Sequence, residues 1–102
     1  MAVVHVDAKN FEAEVMKCSQ TVLVDLFANW CAPCKMLAPV LEEIASEHPE
    51  VKVCKIDVDA SPQIAAAFRA SSIPMLVVIR NGKAVRQSVG YMGKQEVLEL
   101  LK

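Results

Sequence analysis

The chain has 102 residues, enough to bury one compact core and too few for two, so a single domain over 1–102 is expected. Apolar residues make up 54%, which argues against disorder, and no stretch approaches the roughly 20 apolar residues of a membrane span. The formal charge is -1 with no block of like charge, which speaks against nucleic acid or an anionic membrane as the main partner.

Met1 to Asp7 has no basic n-region, and its apolar run is shorter than an h-region. No secretory signal is read there, and the expected compartment is the cytoplasm. Val3-Val4-His5-Val6 is a short strand. Asp7 or Asn10 can cap a helix running to about Lys17, with Phe11 and Val15 on one face. Val22 to Phe27 is too continuously apolar for a half-exposed strand and reads as central, covered on both faces. A helix follows from Cys34 to about His48, its stripe formed by Leu37, Val40, Leu41, Ile44 and Ala45. Pro39 lacks an N–H and should kink it; His48-Pro49 ends it. Val51 to Val58 is the third strand, and a helix of this length between two strands makes a right-handed crossover. Ser61-Pro62 starts a short helix, Ser61 as cap and Pro62 at the first position, burying Ile64, Ala65 and Phe68. Met75 to Ile79 is a strand, Asn81-Gly82 a two-residue hairpin turn, and Lys83 to Val89 an edge strand. Gly93 caps the last helix, with Glu96 at its third position and Val97, Leu98 and Leu101 facing inward. The order βαβαβαββα, a hairpin added to a parallel βαβ core, gives an α/β mixed sheet with helices on both faces.

The chemistry concentrates in Trp30-Cys31-Ala32-Pro33-Cys34-Lys35, at the junction of the central strand and the long helix. Two intervening residues let both sulfurs face each other across the first helical turn. Unpaired backbone N–H groups and the positive end of the helix dipole favour a thiolate there. Cys31 precedes the helix and should be the more exposed, attacking sulfur; Cys34, one turn in, the resolving one. The competing readings are two structural cysteines or half a metal site. A metal needs two further ligands. His48 lies 14 residues beyond Cys34, about 21 Å along a helix, and cannot close a site; no metal is expected. Cys18 and Cys54 are isolated and read as small apolar residues. Asp25 is the odd residue in the apolar run. Burial should raise its pKa, and it is either a proton acceptor for Cys34 or a structural carboxylate satisfied by backbone or by Lys55. No Gly-rich nucleotide fingerprint occurs, so no bound cofactor is expected.

Val24-Asp25-Leu26-Phe27-Ala28-Asn29-Trp30-Cys31-Ala32-Pro33-Cys34-Lys35 resembles the active-site stretch of the thioredoxin family. The likeness covers essentially the whole chain, through Pro39, Ile73-Pro74, Asn81-Gly82 and Val89-Gly90. It implies the thioredoxin fold, a five-stranded mixed sheet in the order 1-3-2-4-5 flanked by four helices. It implies protein-disulfide reduction by reversible dithiol–disulfide exchange through Cys31 and Cys34, with Asp25 taking the Cys34 proton through water and Lys55 beside it. A cis X-Pro bond is rare in general, about 5–6% of cases, but the resemblance makes Pro74 cis and sets it against the Cys pair. Ile73 then offers its backbone N–H and C=O to an extended substrate. Trp30, Pro33, Met75, Gly90, Tyr91 and Met92 could form an apolar rim, although Met75 and Tyr91, taken singly, read more often as core or surface residues. The implied partners are disulfide-containing target proteins and a flavin-containing, NADPH-dependent thioredoxin reductase, with the chain a monomer.

Departures from the commonest family pattern are Ala32 for Gly, Met75 for Thr, Phe27 for Trp, and Arg69-Ala70-Ser71-Ser72 without the usual Gly and large aliphatic residue. Ala32 and Pro33 tune the sulfurs. Pro33, with no His in the dipeptide, favours a reductant by family analogy. Two other readings stay open from sequence: a thioredoxin-like binding or chaperone module that uses the rim, and a metal or iron–sulfur carrier with Cys pairs from two chains.

Overall fold

A computed structural model describes residues 3–102. Five strands form one sheet: β1 (Val3–Val6), β2 (Thr21–Phe27), β3 (Val51–Asp57), β4 (Met75–Arg80) and β5 (Lys83–Val89), in the order β1-β3-β2-β4-β5 that the resemblance implied. β3 pairs in parallel with both β1 and β2, while β4 adds antiparallel to β2 and β5 antiparallel to β4. Four helical segments connect them: α1 (Glu12–Met16), α2 (Ala32–Glu47), α3 (Pro62–Ala67) and α4 (Lys94–Leu100).

β2 is continuously apolar because both of its faces are covered. On one face Leu23, Val53, Leu76 and Val78 pack against Leu37, Leu41, Ile44 and Ala45 of α2 and Val97 of α4. On the other, Val22, Val24, Leu26, Cys54, Ile56 and Val77 pack with Val15 of α1, and Ile64 and Phe68 lean on them. Alternate residues of one strand supply the two cores, so a slip of one residue would exchange them. The rings of Phe11 and Phe68 meet edge to face, 5.9 Å apart, closing the second core. β5 is one edge of the sheet and β1 the other; six of the seven side chains of β5 are exposed, Val85 and Val89 among them.

Two expectations need correction. The helix expected from Asp7 or Asn10 to about Lys17 is shorter, and its turn is of π type: the Lys17 N–H reaches back five residues to the Glu12 carbonyl. Phe11 and Val15 still turn toward one core. Ser61 stands at the cap position of α3, but its buried side chain makes no capping hydrogen bond. By contrast, α4 begins as expected, with the Gly93 N–H donating to the Glu96 carboxylate at 3.0 Å. α2 runs unbroken through Pro39 and ends before His48.

Two turns carry left-handed backbone. Asn81 (φ 54°) and Gly82 (φ 76°) form the hairpin turn, and a Cβ on Gly82 would stand 2.9 Å from the Met16 carbonyl oxygen. Arg69 (φ 58°) closes α3: its N–H reaches Ala66 O and the Ala70 N–H reaches Ala65 O, the pair of bonds of a Schellman ending. That ending ordinarily uses glycine, because a Cβ strains the left-handed region.

Opposite outcomes are expected at the two turns. Arg69→Gly should raise stability in urea unfolding by about 0.5–1 kcal/mol. Gly82→Ala should lower it by about 1–2 kcal/mol, from the strained φ and the contact with the Met16 backbone.

Candidate active site

β2 ends at Phe27, and a tight turn, in which the Cys31 N–H donates to Ala28 O at 3.2 Å, leads into α2. Cys31 is the N-cap, in extended conformation, with Ala32, Pro33 and Cys34 as the first three helical residues. An N-cap side chain ordinarily offers an oxygen to the third N–H of its helix. Here the acceptor is sulfur: the Cys34 N–H points at Cys31 Sγ at 3.3 Å. Pro33 fits the first turn because its missing N–H is one that has no intrahelical partner. Cys31 and Cys34 are joined by a disulfide, their Cα atoms 5.2 Å apart.

The expected contrast in exposure is nearly absent. Cys31 is 5% exposed and Cys34 3%, so the order holds but accessibility does not separate the two sulfurs. Ala28, Val58 and Ile73 pack around them. What separates them is the backbone donor aimed at Cys31.

Ile73-Pro74 is cis and lies beside the pair, with Cys31 Sγ 3.9 Å from Ile73 O. Pro74 is buried, and its carbonyl accepts the Gly90 N–H at 2.8 Å, which ties the two loops together. Gly90 (φ 101°) has no atom within 4 Å of where a Cβ would stand, leaving the backbone open on that side. Trp30 is 71% exposed and is held by a hydrogen bond from its Nε1 to Asp59 at 2.9 Å. Ala32, Pro33 and Tyr91 are exposed as well. Met75 is not part of this rim: it is buried in the α1–α3 core. Met92 is half-buried against the α2–α4 core. Asp59 was missed by sequence reasoning. The signal was Asp57-Val58-Asp59-Ala60, where the Asp57 carboxylate accepts the Asp59 and Ala60 N–H groups in an Asx turn that aims Asp59 at the indole.

Asp25 is fully buried in β2. Its register partner on β3 is Lys55, whose ammonium lies 3.8 Å from Oδ2 and 4.5 Å from the centre of the Phe27 ring. Among the described residues neither carboxylate oxygen has a hydrogen-bond partner, and the ion pair with Lys55 is the charge contact that Asp25 makes. Burial pushes the Asp25 pKa up to about 6, against the opposing pull of Lys55. Cys34 and Lys55 line one small depression together with Phe27, Ala28, Asn29, Lys35 and Ala38. Cys34 and the ion-pair partner of Asp25 therefore border the same space.

The other cysteines stand apart from this site. Cys54 is buried, and desolvation pushes its thiol up to about 11, which leaves it inert near neutral pH. Cys18 is half-buried and free. Among the described residues, no three His, Cys, Asp or Glu side chains are grouped to hold a metal ion.

The family model described as Thioredoxin matches residues 2–102. A thioredoxin of Chlamydia muridarum is 52% identical over 83 residues, 81% of this chain and 81% of that one. A thioredoxin of Mycobacterium tuberculosis is 44% identical over 101 residues, covering 98% of this chain and 87% of its own. A bifunctional thioredoxin reductase/thioredoxin of Mycobacterium leprae is 45% identical over 96 residues, 93% of this chain and 21% of that longer protein. With a disulfide-bonded pair at the head of α2 and the expected strand order, the chain belongs to the thioredoxin family of thiol–disulfide oxidoreductases, and Cys31–Cys34 is its redox pair.

Proposed function

We propose that this chain is an electron carrier that reduces disulfides of target proteins in the cytoplasm, acting as a monomer and as one self-contained domain over 1–102. The reading rests above all on the Cys34 N–H held at 3.3 Å from Cys31 Sγ. In the reduced protein that donor, with the helix dipole, favours a thiolate on Cys31.

The Cys31 thiolate attacks one sulfur of the target disulfide; the other target sulfur leaves as a thiolate and takes a proton from solvent. Cys34 then gives its proton to the Asp25 carboxylate through the depression that it shares with Lys55, and attacks Cys31 Sγ. The second target thiolate leaves, and two electrons have passed to the target while Cys31–Cys34 becomes a disulfide. Lys55 holds Asp25 ready as an anion, and Ala32 and Pro33 tune the sulfurs. The target lies as an extended segment along the backbone of Ile73, Pro74 and Gly90, with Trp30 against it. NADPH, through a flavin-containing thioredoxin reductase, returns the electrons; the Mycobacterium leprae relative, named for both activities in one chain, supports that partnership.

Cys31→Ser should abolish reduction of insulin disulfides, and Cys34→Ser should accumulate a mixed disulfide through Cys31, detected by mass. Accumulation through Cys34 in Cys31→Ser would reverse the assignment. Asp25→Asn should slow collapse of the mixed disulfide by about 10–100-fold at pH 7. In the parent protein that step should weaken as pH falls through about 6, where Asp25 gains its proton. An unchanged rate would remove Asp25 from the mechanism.

The same carboxylate has a stability signature. Its folded pKa, about 6, lies above the ordinary 3.8, so the native state holds a proton that the unfolded chain releases. The folded protein therefore loses stability as pH rises from about 4 to 6. Asp25→Asn should match the parent near pH 4 in urea unfolding and exceed it by about 2–3 kcal/mol at pH 7.

A further inference from the structure

The turn that leads into the redox pair carries an open aromatic ring. Trp30 immediately precedes Cys31 and, at 71% exposure, is the most open large apolar side chain among the described residues. It is nevertheless fixed. Its Nε1 donates to Asp59 Oδ2 at 2.9 Å, which pins one edge of the indole and leaves most of the ring to solvent.

The carboxylate at that edge is itself placed and unspent. The Asp57 carboxylate accepts the N–H groups of Asp59 and Ala60 and so fixes the turn from which Asp59 projects. Asp57 Oδ2 also lies 3.5 Å from the Asn29 side-chain nitrogen, which straps the turn before Trp30 to the turn after β3. Asp59 is exposed, and among the described residues no Lys, Arg or His forms an ion pair with it. Lys35 and Lys55 line the depression beside Asn29, and Lys55 is paired with Asp25. An electron-rich ring and an unpaired carboxylate therefore stand together, one residue from Cys31. Tryptophan is the side chain whose face attracts a cation best, and an indole N–H held by a carboxylate feeds electron density into that face. A guanidinium is planar, so it can lie flat on the ring while its N–H edge reaches the carboxylate.

We propose that Trp30 and Asp59 form a cation subsite for the target: the redox pair favours disulfides in which a residue beside the attacked cysteine is an arginine. This deepens the reading in which Cys31 reduces target disulfides, and it rests on that reading. A target bonded to Cys31 Sγ brings the neighbours of its cysteine within a side chain's length of the indole. Asp59 acts here through charge as well as through its grip on the ring, and Asp57 adds negative charge to the same turn.

The test is single-turnover reduction of short disulfide-closed peptides by the dithiol protein at low ionic strength. The peptides differ in one residue beside the cysteine, on either side of it: arginine, its neutral isostere citrulline, or glutamate. In one of the two placements arginine should react about 5–10-fold faster than citrulline, and glutamate more slowly than either. That advantage should shrink as salt is added. Asp59→Asn keeps an oxygen for the indole N–H and removes the charge; it should cut the arginine-to-citrulline ratio to about 2–3-fold, the share left to the ring. Trp30→Leu should bring the ratio below about twofold. Both side chains are exposed, so neither change disturbs the cores, and the ratio cancels any general loss of rate. Equal rates for arginine and citrulline in both placements would overturn the subsite and leave disulfide reduction standing, and so would a ratio that Asp59→Asn leaves unchanged. Failure to reduce any of the peptides would overturn both.

Discussion

A sulfur occupies the place where a helix ordinarily receives an oxygen. The N–H of Cys34 must find an acceptor at the head of α2, and Cys31 Sγ supplies it. Much of the architecture serves that contact. β2 brings the chain to the helix start between two packed faces, so the turn that follows has little freedom. The cis Ile73-Pro74 loop covers the pair from the far side and is itself pinned by Gly90. The result is a pair of sulfurs that are almost fully covered, with Ala28, Val58 and Ile73 packed around them.

The second constraint works against the fold. A carboxyl group with no hydrogen-bond partner in a central strand is unfavourable when ionised, and Lys55 offsets the burden only partly, at 3.8 Å and without a direct hydrogen bond. An apolar residue at position 25 would pack better. The stability given up there leaves a carboxyl group whose proton affinity lies near neutral pH, in the range where a group accepts and releases a proton with little driving force. Strain of this kind concentrates at functional sites.

The sequence made the scaffold readable where local pattern and burial agree. The unbroken apolar run of β2, Asn81-Gly82 and His48-Pro49 each name an element or a boundary without help from elsewhere. The Cys pair at a strand–helix junction and the stray Asp25 located the site. What was hidden depends on residues distant in the chain. The π turn of α1 differs from an α turn by one hydrogen bond, which composition does not encode. Met75 and Met92 are apolar residues next to the site, and only strand register and the docking of α4 send them to the cores instead of the rim. Arg69 adopts left-handed backbone although nothing in its side chain asks for it; the closing bonds of α3 impose it. The burial of Cys31 comes from Val58 and Ile73, residues that no spacing rule connects to it. The pairing of Lys55 with Asp25 needs the strand order, which the resemblance supplied and the side chains alone did not.

The open flank of the sheet has a consequence for crowded solutions. β5 presents unpaired backbone along its free side, the feature that lets sheets zip together and aggregate. Its cations lie where they oppose this: in an antiparallel pairing of two copies centred on Arg86, the two guanidinium groups would face each other, while Lys83 would be set against Val89. Charge repulsion at the middle of the seam thus serves as a gatekeeper, and replacing Arg86 with a neutral β-former would convert a protected border into an adhesive one.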